Sequence, residues 1–304
     1  MSRPEALSGR DLAAALVVVV VWGVNFVAMK FALRDFTPFQ LGAARFVFAA
    51  LPLALFVKPP SVPWKWVVLY GLCQGVGQFG LLFIALRVGM TAALASVLLQ
   101  TQVFLTALFG FVLLHERASR PLQGGMVLAA LGLACFGGNY LGPSAGGASA
   151  TTVAGLLLTV CAAALWALSN IVARQVRQVA GNYSPIAFVV WSGAVAVLPF
   201  VALSWTFDAP AVRWRWLQAG WSGWLSIAYL GWIATLVGYS LWTGLLKRHP
   251  ANRVAPFSLG VPVVGLAAGM GVLGESVTAW QWAGIALVMA ALACVMLGGR
   301  LKGR

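Results

Sequence analysis

The stretch LAAALVVVVVWGVNFVAMKF, residues 12–31, decides the fold. A helix needs about 20 apolar residues to cross the hydrocarbon core of a bilayer. This run has that length, and Lys30 is its only charge. No small-residue cleavage site follows it, so it reads as a retained first span rather than a signal peptide. Nine further runs of the same kind follow, at 38–57, 64–86, 91–114, 121–140, 152–173, 185–205, 220–246, 250–273 and 278–298. The expected fold is all-α, with ten transmembrane helices. The longest connections, near 141–151 and 206–219, are too short for a soluble domain.

Composition points the same way. Hydrophobic residues are 61% of the 304 positions and charged residues 9%. Soluble domains run at about 45–50% apolar and about 25% charged. A bilayer removes the need for a polar surface, because lipid tails solvate apolar side chains directly. The net charge of +14 is no nucleic-acid signal, since Lys and Arg are scattered in ones to threes between apolar runs. The acids Glu5, Asp11, Asp35, Glu116, Asp208 and Glu275 all fall at or near run ends. Cys73, Cys135, Cys161 and Cys294 lie inside apolar runs without metal-ligand spacing, and behave as small apolar residues.

Basic residues set an expected orientation. With the N-terminus in the cytoplasm, fourteen fall inside (Arg3, Arg10, Lys58, Lys65, Arg117, Arg120, Arg174, Arg177, Lys247, Arg248, Arg253, Arg300, Lys302 and Arg304). Five fall outside (Lys30, Arg34, Arg87, Arg213 and Arg215), and Arg45 lies within a span. This is the positive-inside bias, with both termini cytoplasmic.

The chain also repeats itself. A shift of 144 puts Trp22 on Trp166 and Lys30 on Arg174. Thr37-Pro38 and Leu51-Pro52 match Ser184-Pro185 and Leu198-Pro199 at the same internal spacing. A shift of 159 puts Tyr70 on Tyr229, Gly110 on Gly269, Glu116 on Glu275, Gly125 on Gly284, and Leu133-Ala134-Cys135 on Leu292-Ala293-Cys294. The expected units are 1–146 and 147–304, each of five spans. Five is odd, so the second unit crosses in the opposite sense. Inverted repeats of this kind mark secondary transporters, with the substrate site near the midplane.

Several segments carry a family likeness: VVVVWGVNFVAMKFAL (18–33), AARF (43–46), ALRVGMTAALASVLLQTQVF (85–104), GFVLLHERAS (110–119), WALSN (166–170) and VAPFSLGVPVVGLAAGMGVLGES (254–276). On these the chain resembles the EamA-type ten-helix branch of the drug/metabolite transporter superfamily. Within it the chain looks most like exporters of amino-acid metabolites of the O-acetylserine/cysteine type, then like aromatic amino-acid exporters. The resemblance implies bacterial inner-membrane export of amino acids or their derivatives. It also implies a central cavity lined largely by spans 1, 3, 4, 6, 8 and 9.

Candidate cavity residues follow from the cost of turning polar groups toward lipid. They are Trp22 and Asn25 on span 1, Gln74 and Gln78 on span 3, Gln100 and Gln102 on span 4, Trp166, Ser169 and Asn170 on span 6, and Tyr239 and Trp242 on span 8. Asn25 and Asn170 are placed near-symmetrically and also suit helix pairing. Gln74, Gln78 and Gln100 face Ile233, Val237 and Leu259 at the 159 shift, an asymmetry that favours a ligand role. Arg45 has two readings: it snorkels toward the outer face, or it contacts a substrate carboxylate or a helix C-terminus. Pro256 and Pro262, among the glycines of span 9, suggest a helix that bends.

No Asp, Glu or His falls in mid-span, which favours downhill exchange over proton antiport. No Gly-rich nucleotide-binding loop is present, no catalytic cluster suggests an enzyme, and no cofactor or metal is expected. The partners expected are a small-molecule substrate and lipid, with a monomer sufficient. The rival reading is a multidrug exporter, which would want an acid in its pocket for lipophilic cations.

Overall fold

A computed structural model describes residues 8–116, 119–140, 151–181, 183–249 and 251–298. Arg3, Glu5, Arg117, Arg300, Lys302, Arg304 and the 141–150 connection lie outside these. The described chain is helical rods joined by short turns. They are α1 (Gly9–Asp35), α2 (Pro38–Ala54), α3 (Trp64–Arg87), α4 (Ala92–Leu114), α5 (Arg120–Gly138), α6 (Val153–Val179), α7 (Pro185–Phe207), α8 (Trp221–Arg248), α9 (Ala255–Leu273) and α10 (Ala279–Gly298). Nine are long and apolar enough to cross a membrane, and α2 is shorter at 17 residues. The expected 38–57 span therefore ends early, while α1 and α6 outrun theirs. The 206–219 connection contains two 3₁₀ turns, Pro210–Val212 and Arg215–Gln218.

The helix starts follow from local chemistry. Thr37 and Ser184 each accept a backbone N–H of the first turn, and each is followed by a proline at the first helical position. That position lacks a hydrogen-bond partner in any case, so proline fits it. Thr91 and Thr152 cap α4 and α6 in the same way.

Contacts between helix ends sort the rods into two sides. At one end Asp11 accepts from Arg248 at 2.8 Å and meets His249 at 2.9 Å. There too Glu116 pairs with Arg174 at 2.5 Å, and Trp191 donates to the Val57 carbonyl at 3.0 Å. At the opposite end Lys30 donates to the Leu86 carbonyl at 2.9 Å and Thr37 to Asp208 at 2.7 Å. Thr152 donates there to the Val88 carbonyl at 2.8 Å. The rods thus run alternately between two ends, and α1 begins at the end where α10 finishes.

Packing pairs off between the halves. α2 lies along α7, α4 on α9, and α5 on α10. The α1–α9 contact is matched by α4–α6, and α1–α8 by α3–α6. Irregular backbone is matched too. α3 and α8 each contain a nine-residue π-helical segment, Gly71–Phe79 and Tyr229–Val237. α4 contains a 3₁₀ turn at Leu99–Thr101, and α9 opens with one at Ala255–Leu259. The sequence predicts the break only in α9, because, of this pair, only α9 carries prolines.

α4 and α9 also end alike. His115 (φ 54°) and Gly274 (φ 65°) adopt the left-handed conformation, and the N–H of the following glutamate returns to the carbonyl of Gly110 or Gly269. This is a helix stop in which glycine is unstrained and other residues are not. Gly274→Ala is expected to lower stability by about 1 kcal/mol, and His115→Gly to preserve or raise it. Thermal unfolding in detergent checks both.

Candidate functional site

The π-helical segments shape the site. A π turn displaces backbone carbonyls from their usual partners, and such segments cluster at functional sites. Here Trp22 on α1 donates its indole N–H to the carbonyl of Ala234, inside the α8 segment, at 2.9 Å. Its ring then packs against Tyr239 and Trp242, with centroids 5.2 Å and 5.5 Å apart.

These rings form part of the wall of a chamber of about 390 Å³ between the helices. Asn25, Gln74, Gln78, Gln100, Gln102, Trp166 and Asn170 form more of it. Ten of the eleven residues expected to line a cavity are therefore brought together. Ser169 is the exception: it is fully buried behind the wall. Its hydroxyl bonds to Gln74 Oε1 at 2.5 Å and to the Trp166 carbonyl at 2.7 Å.

Two polar networks hold the wall. Gln74 donates to Gln78 at 2.5 Å, with Ser169 behind it. Asn170 donates to Gln102 at 2.8 Å and to Thr106 at 3.1 Å, which ties α6 to α4. Asn170 thus pairs helices, as expected. Asn25 does not behave as its counterpart, since its buried Oδ1 has no hydrogen-bond partner.

Of the two readings of Arg45, the structure removes the outward one. The side chain does not snorkel outward. It is 4% exposed and lies on the chamber wall, with its guanidinium carbon 3.9 Å from the Phe79 ring centroid. Its Nη1 is buried without a partner, and no acid lines the chamber among the described residues. Removing a charge from water costs several kcal/mol, and a cation–π contact returns only about 1–2 kcal/mol. Helix α2 and, through Leu292 and Met296, α10 therefore join the lining helices that the resemblance implied. Tyr70, Phe79, Ser96 and Ser258 also line the chamber and were not singled out. They carried no signal beyond a polar or aromatic side chain in an apolar run.

The chamber occupies the middle of the bundle. Asn170, Trp242, Ser258 and Met296 line it toward the end that carries Ser8 and Gly298, and Met29, Leu82 and Ser96 toward the other. Beside it α1, α4 and α9 pack closely. A Cβ added at Gly23 would lie 2.5 Å from Val264, and one at Gly265 would lie 2.5 Å from Ser96. Glu275, at the end of α9, accepts the backbone N–H groups of Ala92 and Ala93 at 2.8 Å each. That carboxylate caps α4 and ties it to the end of α9. Pro256 sits in the first turn of the α9 3₁₀ segment, where its missing N–H costs little. Pro262 lies just beyond the 3₁₀-to-α change, and its carbonyl is 3.4 Å from the Ser96 hydroxyl.

The sequence matches the EamA-like transporter family twice, over residues 11–137 and 153–297. The chain belongs to that family. It is 38% identical over 302 residues to a protein of Salmonella typhimurium (strain LT2) named "Probable amino-acid metabolite efflux pump", covering 97% of this chain and 98% of that one. A protein of Escherichia coli (strain K12) with the same name is 37% identical, over 97% and 98% of the two chains. A solved structure titled only "Crystal structure of protein" shares the fold, with a TM-score of 0.61 at 18% identity over 97% of this chain and 99% of that one. The chain is thus a multi-pass membrane protein of a transporter family.

The wall geometry separates two kinds of residue. Ser169→Ala removes a buried bond and is expected to cost about 1 kcal/mol of stability while leaving half-saturating substrate concentration unchanged. Trp166→Ala is expected to do the reverse, weakening apparent affinity several-fold with a small change in melting temperature. Melting curves and transport kinetics on the same preparations check the split.

Proposed function

We propose that this protein exports amino acids or amino-acid-derived metabolites across the bacterial inner membrane, by exposing one chamber alternately to its two sides. The observation that carries the reading is the chamber itself: about 390 Å³, walled by uncharged amides and indoles, with one cation and, among the described residues, no acid. That volume lies within the range of about 300–1,000 Å³ typical of small-molecule sites. The names of the two enterobacterial relatives, each alike over nearly the full length, support the same substrate class.

The two units, 1–146 and 147–304, are read as inverted five-helix repeats. Paired contacts, paired π-helical segments and the double family match at 11–137 and 153–297 support this. The positive-inside bias favours a cytoplasmic location for the end bearing the described termini. Exposing the chamber at the opposite end would part α9 from α4 at the Glu275 cap. The 3₁₀ turns in α4 and α9 are where these helices bend, with Pro262 beside the second.

The rival reading, export of lipophilic cations, lacks an acid in the described lining to hold them. Exchange without ATP, and without a coupled proton, fits a chamber with no carboxyl or imidazole on its described wall.

Purified protein in liposomes is expected to catalyse counterflow of a labelled amino acid without ATP and independently of an imposed pH gradient. Failure with every amino acid, together with uptake of lipophilic cations, would turn the reading to the rival. Pro262→Ala is expected to slow counterflow several-fold at unchanged expression, and equal rates would remove the hinge.

A further inference from the structure

Beside the main chamber lies a smaller compartment of about 50 Å³, between α2, α3, α7 and α8. It shares Arg45, Tyr70, Gln74, Phe79 and Tyr239 with the chamber, so the two are neighbours on one wall. Small residues line it. Gly71 lets α3 and α7 approach closely, since a Cβ there would lie 2.4 Å from the Ser192 carbonyl oxygen. Gly75 and Gly193 form more of its boundary.

Two buried polar atoms without protein partners belong to this compartment: Arg45 Nη1 and Ser192 Oγ. Their residues are 4% and 1% exposed. Both are hydrogen-bond donors, and one is cationic. Such groups are costly to leave unmade in an apolar interior. They also occupy the same register, because Arg45 follows Pro38 and Ser192 follows Pro185 by seven residues each. The two matched helices, α2 and α7, pack together here. The compartment thus sits where the two repeats meet, and one repeat supplies a cation where the other supplies a hydroxyl.

We propose that this compartment is the anion subsite of the transport site: it takes the free carboxylate of the substrate, held by Arg45 and Ser192, while the rest of the substrate occupies the main chamber. The inference deepens the export reading and rests on it. A compartment of this size admits a carboxylate but not a whole amino acid. The planar guanidinium is the side chain best matched to that group. The subsite makes the chain selective for substrates with an unblocked carboxylate. It rejects their amides and decarboxylated amines, because those leave the buried donors unpaired.

Quenching of tryptophan fluorescence in the purified full-length protein reads the subsite, since Trp22, Trp166 and Trp242 line the chamber. The probes are L-phenylalanine, L-phenylalaninamide, phenethylamine and 3-phenylpropionate, with a parallel set of L-cysteine, L-cysteinamide and cysteamine. Sodium chloride alone serves as the free-anion control. The amino acids are expected to bind at least about tenfold more tightly than their amides and amines, the worth of one charge-assisted hydrogen bond. Arg45→Met is expected to abolish that gap, Arg45→Lys to keep part of it, and Ser192→Ala to narrow it a few-fold.

Equal binding of acid and amide by the wild type overturns the subsite and leaves amino-acid export standing. A gap that survives Arg45→Met overturns it as well. So does quenching saturated by chloride and insensitive to carboxylates. Binding of 3-phenylpropionate as tight as that of phenylalanine upholds the subsite and counts instead against the amino-acid reading. Should Arg45→Met fail to fold, an acid–amide gap unchanged in both Arg45→Lys and Ser192→Ala overturns the proposal.

Discussion

Polar groups removed from water must find partners inside the protein, and this constraint organises the whole molecule. In hydrocarbon an unmade hydrogen bond has no solvent to fall back on. Threonine and serine therefore cap the helix starts. Trp22 takes up a carbonyl within a π-helical segment, and the wall amides bond to one another. Against this background the exceptions stand out. Among the described residues, the buried side-chain atoms without partners are Asn25 Oδ1, Arg45 Nη1, Trp66 Nε1 and Ser192 Oγ. Three of these four residues line the central chamber or its side compartment. This clustering of open polar groups supports the proposed substrate site.

Scaffold and chemistry separate along the halves of the chain. Backbone features recur: the π-helical segments, the 3₁₀ turns, and the left-handed stops at His115 and Gly274. Side chains at matching positions differ in task. Glu116 pairs with Arg174 at one end of the bundle, while Glu275 caps α4 at the other. Asn170 bonds across to α4, while Asn25 is left with an open acceptor. In the proposed exchange, the repeated backbone supplies the two related ways to close. Unmatched side chains give the single chamber a definite chemistry.

Much of this was legible in the residues. Long apolar runs with charges at their ends are a strong signal, because the cost of a buried charge leaves few alternatives; the helices followed from it. Mid-span amides and indoles were a fair guide to the cavity for the same reason. Ser169 misled because an i, i+3 spacing from Trp166 places it on the neighbouring strip of the helix, where it supports Gln74 from behind. Arg45 left two readings open because snorkelling is the usual escape for a cation in a short span. Only the arrangement of Phe79, Gly71 and Gly75 around it provides an inward place. Ser192 could have been flagged by its register with Arg45, but a lone serine in an apolar run carries no signal of its own. The π-helical segments have no counterpart in apolar periodicity at all.

The central claim is that one chamber faces both sides of the membrane in turn. The direct measurement is labelling of a single cysteine at Gln100, introduced after replacement of the four native cysteines, with a membrane-impermeant maleimide applied to oriented vesicles from either side. The account predicts labelling from both sides, with the ratio shifting when substrate is added to one of them. Labelling confined to one side under every substrate condition would contradict it.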